Sequence, residues 1–236
     1  MADIIKTRRS EPNNQRSDFI KLLLDASEEI GGSLSDDEII DQCLLFITTG
    51  YEATAAALTS IAYCLATNPE CQEQLLNEID LVNVDELDFE ALQSLPYLDA
   101  FICETLRILP PVSRIERKAT TDCLLGDVMI AKDTLVIIPV YAIHHDPDNF
   151  YRPEHFDPER FLNGRPVNPY AFIPFAAGPR NCIGMRFALF EIKLCLVSLL
   201  QRFRFATCAE TQLPPDFAIG RSHCEPKSLI LEVTKR

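Results

Sequence analysis

Basic residues are scarce in this 236-residue chain, with 22 Lys and Arg against 35 Asp and Glu and a formal net charge of −13. A surplus of that sign repels phosphate backbones and excludes nucleic acid as a partner. Long apolar runs are also missing. No stretch of 18 consecutive apolar residues occurs, so the sequence offers no uninterrupted membrane span. Residues 1–16 are polar and charged, which excludes a signal peptide or anchor at the start. Cys43, Cys64, Cys71, Cys103, Cys123, Cys182, Cys195, Cys208 and Cys224 are odd in number and contain no Cys-x-x-Cys pair. That pattern argues against a disulfide framework or a zinc site and for reduced thiols. No internal repeat is visible. Hydrophobic residues make up 47%, enough for a sizeable core.

What is present reads mainly as helix. Residues 1–16 are expected to form a solvated, mobile lead-in, and residues 17–236 a single folded portion. An amphipathic helix is expected over residues 17–27, capped by Ser17 and broken at Gly31-Gly32-Ser33. Ser35-Asp36-Asp37-Glu38 is a capping box and starts a helix over about residues 36–67, on the order of 45 Å long at 1.5 Å per residue. Its middle is apolar nearly all round and is expected to be buried, with Glu52 inside it. Asn68-Pro69 ends that helix and starts another to about residue 82, followed by an acidic connector over residues 84–94. A further helix runs from Pro96 to about Leu109, where Pro110-Pro111 stops it. Short strands follow over residues 112–118, 123–130 and 134–139, turning at Gly126-Asp127 and Lys132-Asp133. A short helix over residues 141–145 carries His144 and His145. Adjacent residues on a helix diverge by about 100°, so the two do not share a metal ion and read as surface or supporting groups. Residues 149–174 form a long meander of low periodicity. A last helix spans residues 185–202, and strands are expected over 203–207 and 228–233. The fold class is therefore α+β: mainly α with small β-sheets.

The chain turns on residues 175–184, Phe-Ala-Ala-Gly-Pro-Arg-Asn-Cys-Ile-Gly. A cysteine thiolate is a strong donor to iron. Gly178 and Gly184 allow tight turns and a close approach of backbone to a flat ligand. Arg180 offers a cation to a carboxylate on that ligand. Phe175 is placed to cover the sulfur, and the final helix begins beside it with its positive dipole end. A buried structural cysteine is the ordinary alternative for a lone Cys. Five fixed positions in ten residues outweigh it here. Phe-x-x-Gly-x-Arg-x-Cys-x-Gly, with Ala188 six residues after Cys182, resembles the haem-ligand loop of the cytochrome P450 family.

Three more motifs fall in that family's order: Gly50-Tyr51-Glu52 in the central helix, Glu104-x-x-Arg107, and Pro158-Glu-Arg-Phe161. The resemblance extends from about Asp18 to the end. Its wording is similar to the branch that includes microsomal drug- and steroid-oxidising enzymes and thromboxane synthase. It implies the C-terminal half of one haem-thiolate domain, with the N-terminal half and membrane anchor outside this sequence. It implies haem b between the central and last helices, with Cys182 as the proximal ligand and Arg117 and Arg180 at propionate positions. Thr49, Ala53, Pro111 and Val112 match positions facing the distal pocket. Glu104, Arg107 and Arg160 match a buried ionic cluster. The implied activity is insertion of one O2-derived oxygen atom into a lipophilic substrate such as a steroid, fatty acid or xenobiotic. Electrons would come from NADPH through cytochrome P450 reductase, with cytochrome b5 as a second partner. The implied location is the cytosolic face of the endoplasmic reticulum. Arg180, Arg186, Lys193, Arg202 and Arg204 suggest a basic face for an acidic redox partner.

One position departs from the family pattern. Where an oxygen-activating threonine is usual, this chain has Ala53. Glu52 with Thr49, one turn back on the same face, or Thr54, about 100° away, are the substitutes for proton relay. The departure also fits a thromboxane synthase-like endoperoxide isomerase, which needs no such relay. A truncated product that binds no haem is the third reading.

Overall fold

In the computed structural model, the described residues are 2–10, 18–29, 34–82, 88–162, 168–217, 224 and 226–236. They divide into two compact units, Met1–Glu52 and Ala53–Arg236. The expected cap at Ser17, the break at residues 31–33 and residues 84–87 of the acidic connector lie outside the described residues.

The first unit holds helix α1 (Ala2–Ser10), helix α2 (Phe19–Glu29) and the opening of α3 (Asp36–Thr67). The lead-in expected to be mobile is thus helical over Ala2–Ser10. Its Ile5 is fully enclosed with Leu24, Ile39 and Cys43, which gives the turn an apolar anchor that composition alone hides. Arg8 and Arg9 add ion pairs to Asp18 and Asp36. The capping box forms as expected. The Ser35 amide donates to Glu38 Oε2 at 2.8 Å, and the Glu38 amide donates to Ser35 Oγ at 3.3 Å. Those bonds from Ser35 hold the Glu38 carboxyl below its ordinary value.

Helix α3 is also long and apolar enough, by length and composition, to cross a bilayer. Its second half instead packs in a protein core through Ala57, Ile61, Cys64 and Leu65. The burial expected for its middle is met at Thr54, Ala56 and Ala57 but not before them: Leu44 through Glu52 are exposed, with Ile47 60% and Tyr51 73% accessible.

The second unit is built around helix α6 (Pro96–Ile108), whose Leu98, Phe101, Ile102 and Leu106 are buried. Helix α4 (Pro69–Ile79), short helix α5 (Phe89–Gln93) and helix α9 (Met185–Leu200) supply the rest of the core. Two side chains fix α4 and α6. Glu78 accepts the otherwise orphaned Tyr97 and Leu98 amides at 2.8 Å each, a carboxylate on a helix N-terminus. Buried Gln72 donates to the Phe205 carbonyl at 2.8 Å and accepts from the Phe205 amide at 2.9 Å, acting as a strand partner. The acidic connector contains α5, capped by Asp88 accepting from Ala91 N–H at 2.8 Å.

Among the described residues, three two-stranded antiparallel sheets lie outside the helical core. Strand β1 (Ile115–Lys118) pairs with β4 (Leu135–Ile138), placing Arg117 opposite Val136. Strands β2 (Cys123–Leu125) and β3 (Val128–Ile130) form a hairpin across Gly126, whose φ of +58° suits glycine. Strand β5 (Phe203–Ala206) pairs with β6 (Glu232–Lys235), later than the expected 228–233. Arg236 explains the later register: it pairs with Asp80 and donates to the Leu200 carbonyl at 2.9 Å. Two short helices complete the unit, α7 (Val140–His144) and α8 (Glu159–Leu162).

Phe101 is fully buried and meets Phe156 edge-on at 5.0 Å. Phe101→Ala is expected to cost about 3–5 kcal/mol, read from the denaturant midpoint. A loss under about 1 kcal/mol would contradict this packing.

Candidate haem-thiolate site

Glu104 and Arg107 are one turn apart on α6, and both are fully buried. Arg107 Nε donates to Glu104 Oε2 at 2.7 Å and Nη2 to Oε1 at 2.8 Å, a two-pronged pair. Arg160, from α8, donates to Glu104 Oε1 at 3.3 Å, and the Asp157 amide donates to the same oxygen at 2.9 Å. The structure thus brings Glu104, Arg107 and Arg160 together. One carboxylate faces two guanidinium groups, so one positive charge is in excess. Backbone carbonyls absorb it. Arg107 donates to those of His144 and His155, and Arg160 to those of Tyr151, Arg152 and His155. Phe150 adds its ring face 5.1 Å from the Arg107 guanidinium.

Of the two histidines, His144 is the supporting group. It is fully buried, whereas His145 is half-buried and stacks on Tyr141 at 4.0 Å. The Ile173 amide donates to His144 Nε2 at 3.0 Å, so Nδ1 carries the proton and donates to the Arg107 carbonyl at 3.2 Å. Burial pushes the imidazole down to about 4. A buried acceptor facing a fixed N–H has no use for a second proton.

Ile173 leads into the Cys182 loop. The Ala176 amide donates to the Ile173 carbonyl at 3.0 Å, the Cys182 amide to the Phe175 carbonyl at 2.9 Å, and the Asn181 amide to the Gly178 carbonyl at 3.1 Å. The bend passes through positive φ at Ala176 (+61°) and Gly178 (+81°). Gly184 is the N-cap of α9, and a side chain there would meet Cys182 Sγ at 4.0 Å. Cys182 is exposed, while Phe175 is half-buried against the core. Arg117 is brought to this loop: its Nη2 donates to the Arg180 carbonyl at 3.2 Å. Ala188 follows in the first turn of α9, its amide bonded to the Gly184 carbonyl.

On the remaining candidates, Pro111 is buried and Val112 half-buried just before β1. Thr54 is buried on α3, and Ala53 beside it is half-buried. Thr49 and Glu52 belong to the exposed stretch of α3, where Thr49 Oγ1 donates to the Leu45 carbonyl at 2.7 Å. The expected basic face loses Lys193. That side chain is buried, with Nζ 2.7 Å from Asp99 and donating to the Leu92 carbonyl at 3.2 Å. Arg204 is paired with Glu73.

The donor set fits haem. No group of three or more His, Cys, Asp or Glu suited to a bare metal ion occurs among the described residues. A single cysteine sulfur is enough protein ligand for an iron whose remaining donors a macrocycle would supply. Open space beside Gly178, cationic Arg117 and Arg180, and exposed Ile183 and Phe187 suit a flat apolar ligand with carboxylates.

A cysteine loop opening a long helix and a closed Glu-Arg-Arg cluster are thus both present. The cytochrome P450 family pattern matches residues 1–232, and the chain belongs to that family. It is 41% identical to cytochrome P450 3A9 of Rattus norvegicus over 98% of this chain and 48% of that protein. It is 40% identical to cytochrome P450 3A5 of Homo sapiens, over 98% of this chain and 47% of that one. Cytochrome P450 3A30 of Fundulus heteroclitus is 42% identical over 89% and 44%. The chain spans about half the length of the curated relatives it matches.

Sequence reasoning left open which of the two histidines is buried and what it joins. The signal was available in His144-His-Asp-Pro: a helix of one turn stopped by proline leaves one histidine facing inward.

Two outcomes follow from the geometry. Glu104→Ala leaves two buried cations without their carboxylate and is expected to cost about 3–5 kcal/mol, measured by chemical unfolding. His144 titrates lower in the folded protein than its ordinary 6.5, so between about 6.5 and about 4 the unfolded chain binds the extra proton. Its contribution is complete above about 6.5 and is lost as pH falls toward about 4. Unfolding midpoints across that window are therefore expected to fall less steeply in His144→Gln than in wild type.

Proposed function

We propose that this chain is the haem-binding portion of a cytochrome P450 monooxygenase acting on a lipophilic substrate of the steroid, fatty-acid or xenobiotic class. The observation that carries the reading is Cys182 in a pre-bent loop at the start of α9, with Arg117 hydrogen-bonded to the same loop. Cys182 Sγ would ligate the iron, and Arg117 and Arg180 would take the propionates. Haem b, once bound, supplies oxygen reduction and insertion at the expense of electrons from NADPH. The protein's part is to hold, orient and shield. Phe175, Gly178, Gly184 and Ala188 shape the ligand side, and Ala53, Pro111 and Val112 face the substrate side.

Proton delivery falls to the Glu52 carboxylate with Thr49 Oγ1 or Thr54 Oγ1. Thr49 must leave its Leu45 carbonyl to serve, whereas Thr54 lies one position beyond Ala53. The partners under this reading are NADPH-cytochrome P450 reductase and cytochrome b5, at the cytosolic face of the endoplasmic reticulum. The docking face is reduced to Arg180, Arg186 and Arg202, since Lys193 is buried and Arg204 is paired. Ala53 in the threonine position favours one other reading, a haem-thiolate isomerase of a fatty-acid endoperoxide.

The carbon-monoxide difference spectrum of the reduced haem protein tests the assignment. The wild type is expected to give the thiolate-type Soret band, and Cys182→His to lose it. Retention of that band in the histidine variant would overturn Cys182 as ligand. Turnover of an endoperoxide without NADPH would select the isomerase.

A further inference from the structure

A continuous run of hydrogen bonds joins the buried ion cluster to the cysteine loop, and one side chain makes the junction. Glu104 fixes Arg107 from the side-chain end. Arg107 Nη1 then donates to the His144 carbonyl at 2.9 Å, and His144 Nδ1 donates back to the Arg107 carbonyl at 3.2 Å. From the far side of the ring, Nε2 accepts the Ile173 amide at 3.0 Å. Ile173 closes a turn with the Ala176 amide, and Phe175 receives the Cys182 amide. The imidazole also lies against the Phe172 ring at 5.4 Å.

We propose that His144 is a positioning residue for Cys182: its neutral ring carries the rigidity of α6 into the loop that presents the sulfur. The inference rests on the reading of Cys182 as the iron ligand. Two features of the geometry support it. The reciprocal pair with Arg107 leaves the ring one orientation, so Nε2 can accept from only one place. The segment it holds has no regular secondary structure between Ala171 and Gly184 to hold itself. Neighbouring His145 provides the contrast. Its Nδ1 faces the Tyr141 carbonyl on its own helix, and its ring packs on Tyr141, away from Ile173.

The test separates the two ring nitrogens. His144→Asn keeps a donor where Nδ1 stands but removes the acceptor for Ile173. His144→Gln reaches to the position of Nε2 and restores that acceptor. Amide hydrogen exchange and the carbon-monoxide difference spectrum are measured on the holoprotein. In His144→Asn, exchange at Ile173, Ala176 and Cys182 is expected to quicken about tenfold or more, as for a lost buried hydrogen bond. The α4 amides should keep wild-type rates, and the thiolate-type band should diminish. His144→Gln should bring the loop amides and the band back toward wild type. Unchanged protection at Cys182 in His144→Asn overturns the proposal. So does a uniform quickening that reaches α4 and is not reversed by glutamine, which marks a merely structural role. If the asparagine variant does not fold, rapid exchange at Ile173 in His144→Gln is itself decisive against the idea. Loop protection that depends on His144 in a protein without the thiolate-type band supports the positioning role and overturns Cys182 as ligand instead.

Discussion

The Glu104 carboxylate is enclosed completely, and an ion in that position is tolerated only when every lone pair is used. Here two guanidinium groups and a backbone amide converge on it. The consequence reaches well beyond the pair. Balancing one acid with two arginines leaves a surplus cation, and only carbonyls held in fixed places can satisfy its remaining N–H groups. Those carbonyls belong to His144, Tyr151, Arg152 and His155. The irregular stretch after α7 is therefore folded by the charge it has to solvate. A buried ion network is a poor source of net stability compared with apolar packing, but it is demanding about geometry. In this chain the demand gives an aperiodic segment one conformation.

That logic shows why some features were legible in the sequence and others were not. The cap at Ser35, the stop at Asn68-Pro69 and the hairpin at Gly126 are local: their chemistry lies within four residues, so the string displays it. The helices α3, α4, α6 and α9 follow from periodicity and proline for the same reason. Glu104 and Arg107 could be paired by spacing, and Arg160 by resemblance. The carbonyls that complete the set carry no side-chain signature and were invisible. Lys193 illustrates the opposite failure. Among Arg180, Arg186, Arg202 and Arg204 it reads as one more surface cation. Its actual partners, Asp99 and the Leu92 carbonyl, come from two other helices. Ile5 was missed because one apolar residue in a charged turn has no periodicity to reveal it.

Burial along α3 raises a different point. The same helix reads as uniformly apolar, yet Ala57 to Leu65 lie in a core while Leu44 to Tyr51 face solvent. Hydropathy specifies that a face prefers to leave water and says nothing about which polypeptide covers it. Phe46, Ile47 and Tyr51 lie on that exposed stretch.

The Cys182 loop is bonded through residues of the second unit. Every bond in the path from Glu104 to Cys182 is made by residues of Ala53–Arg236. If the proposed function holds, presenting the sulfur and delivering protons would rest on different residues. Under the proposed reading the first would rest on the ion cluster and His144, and the second on Glu52 with Thr49, in the exposed part of α3, or with buried Thr54. A substitution such as Ala53 for threonine can then alter how protons arrive without disturbing how the sulfur is held. Chemistry at a fixed thiolate can diverge in this way while the loop that presents it stays the same.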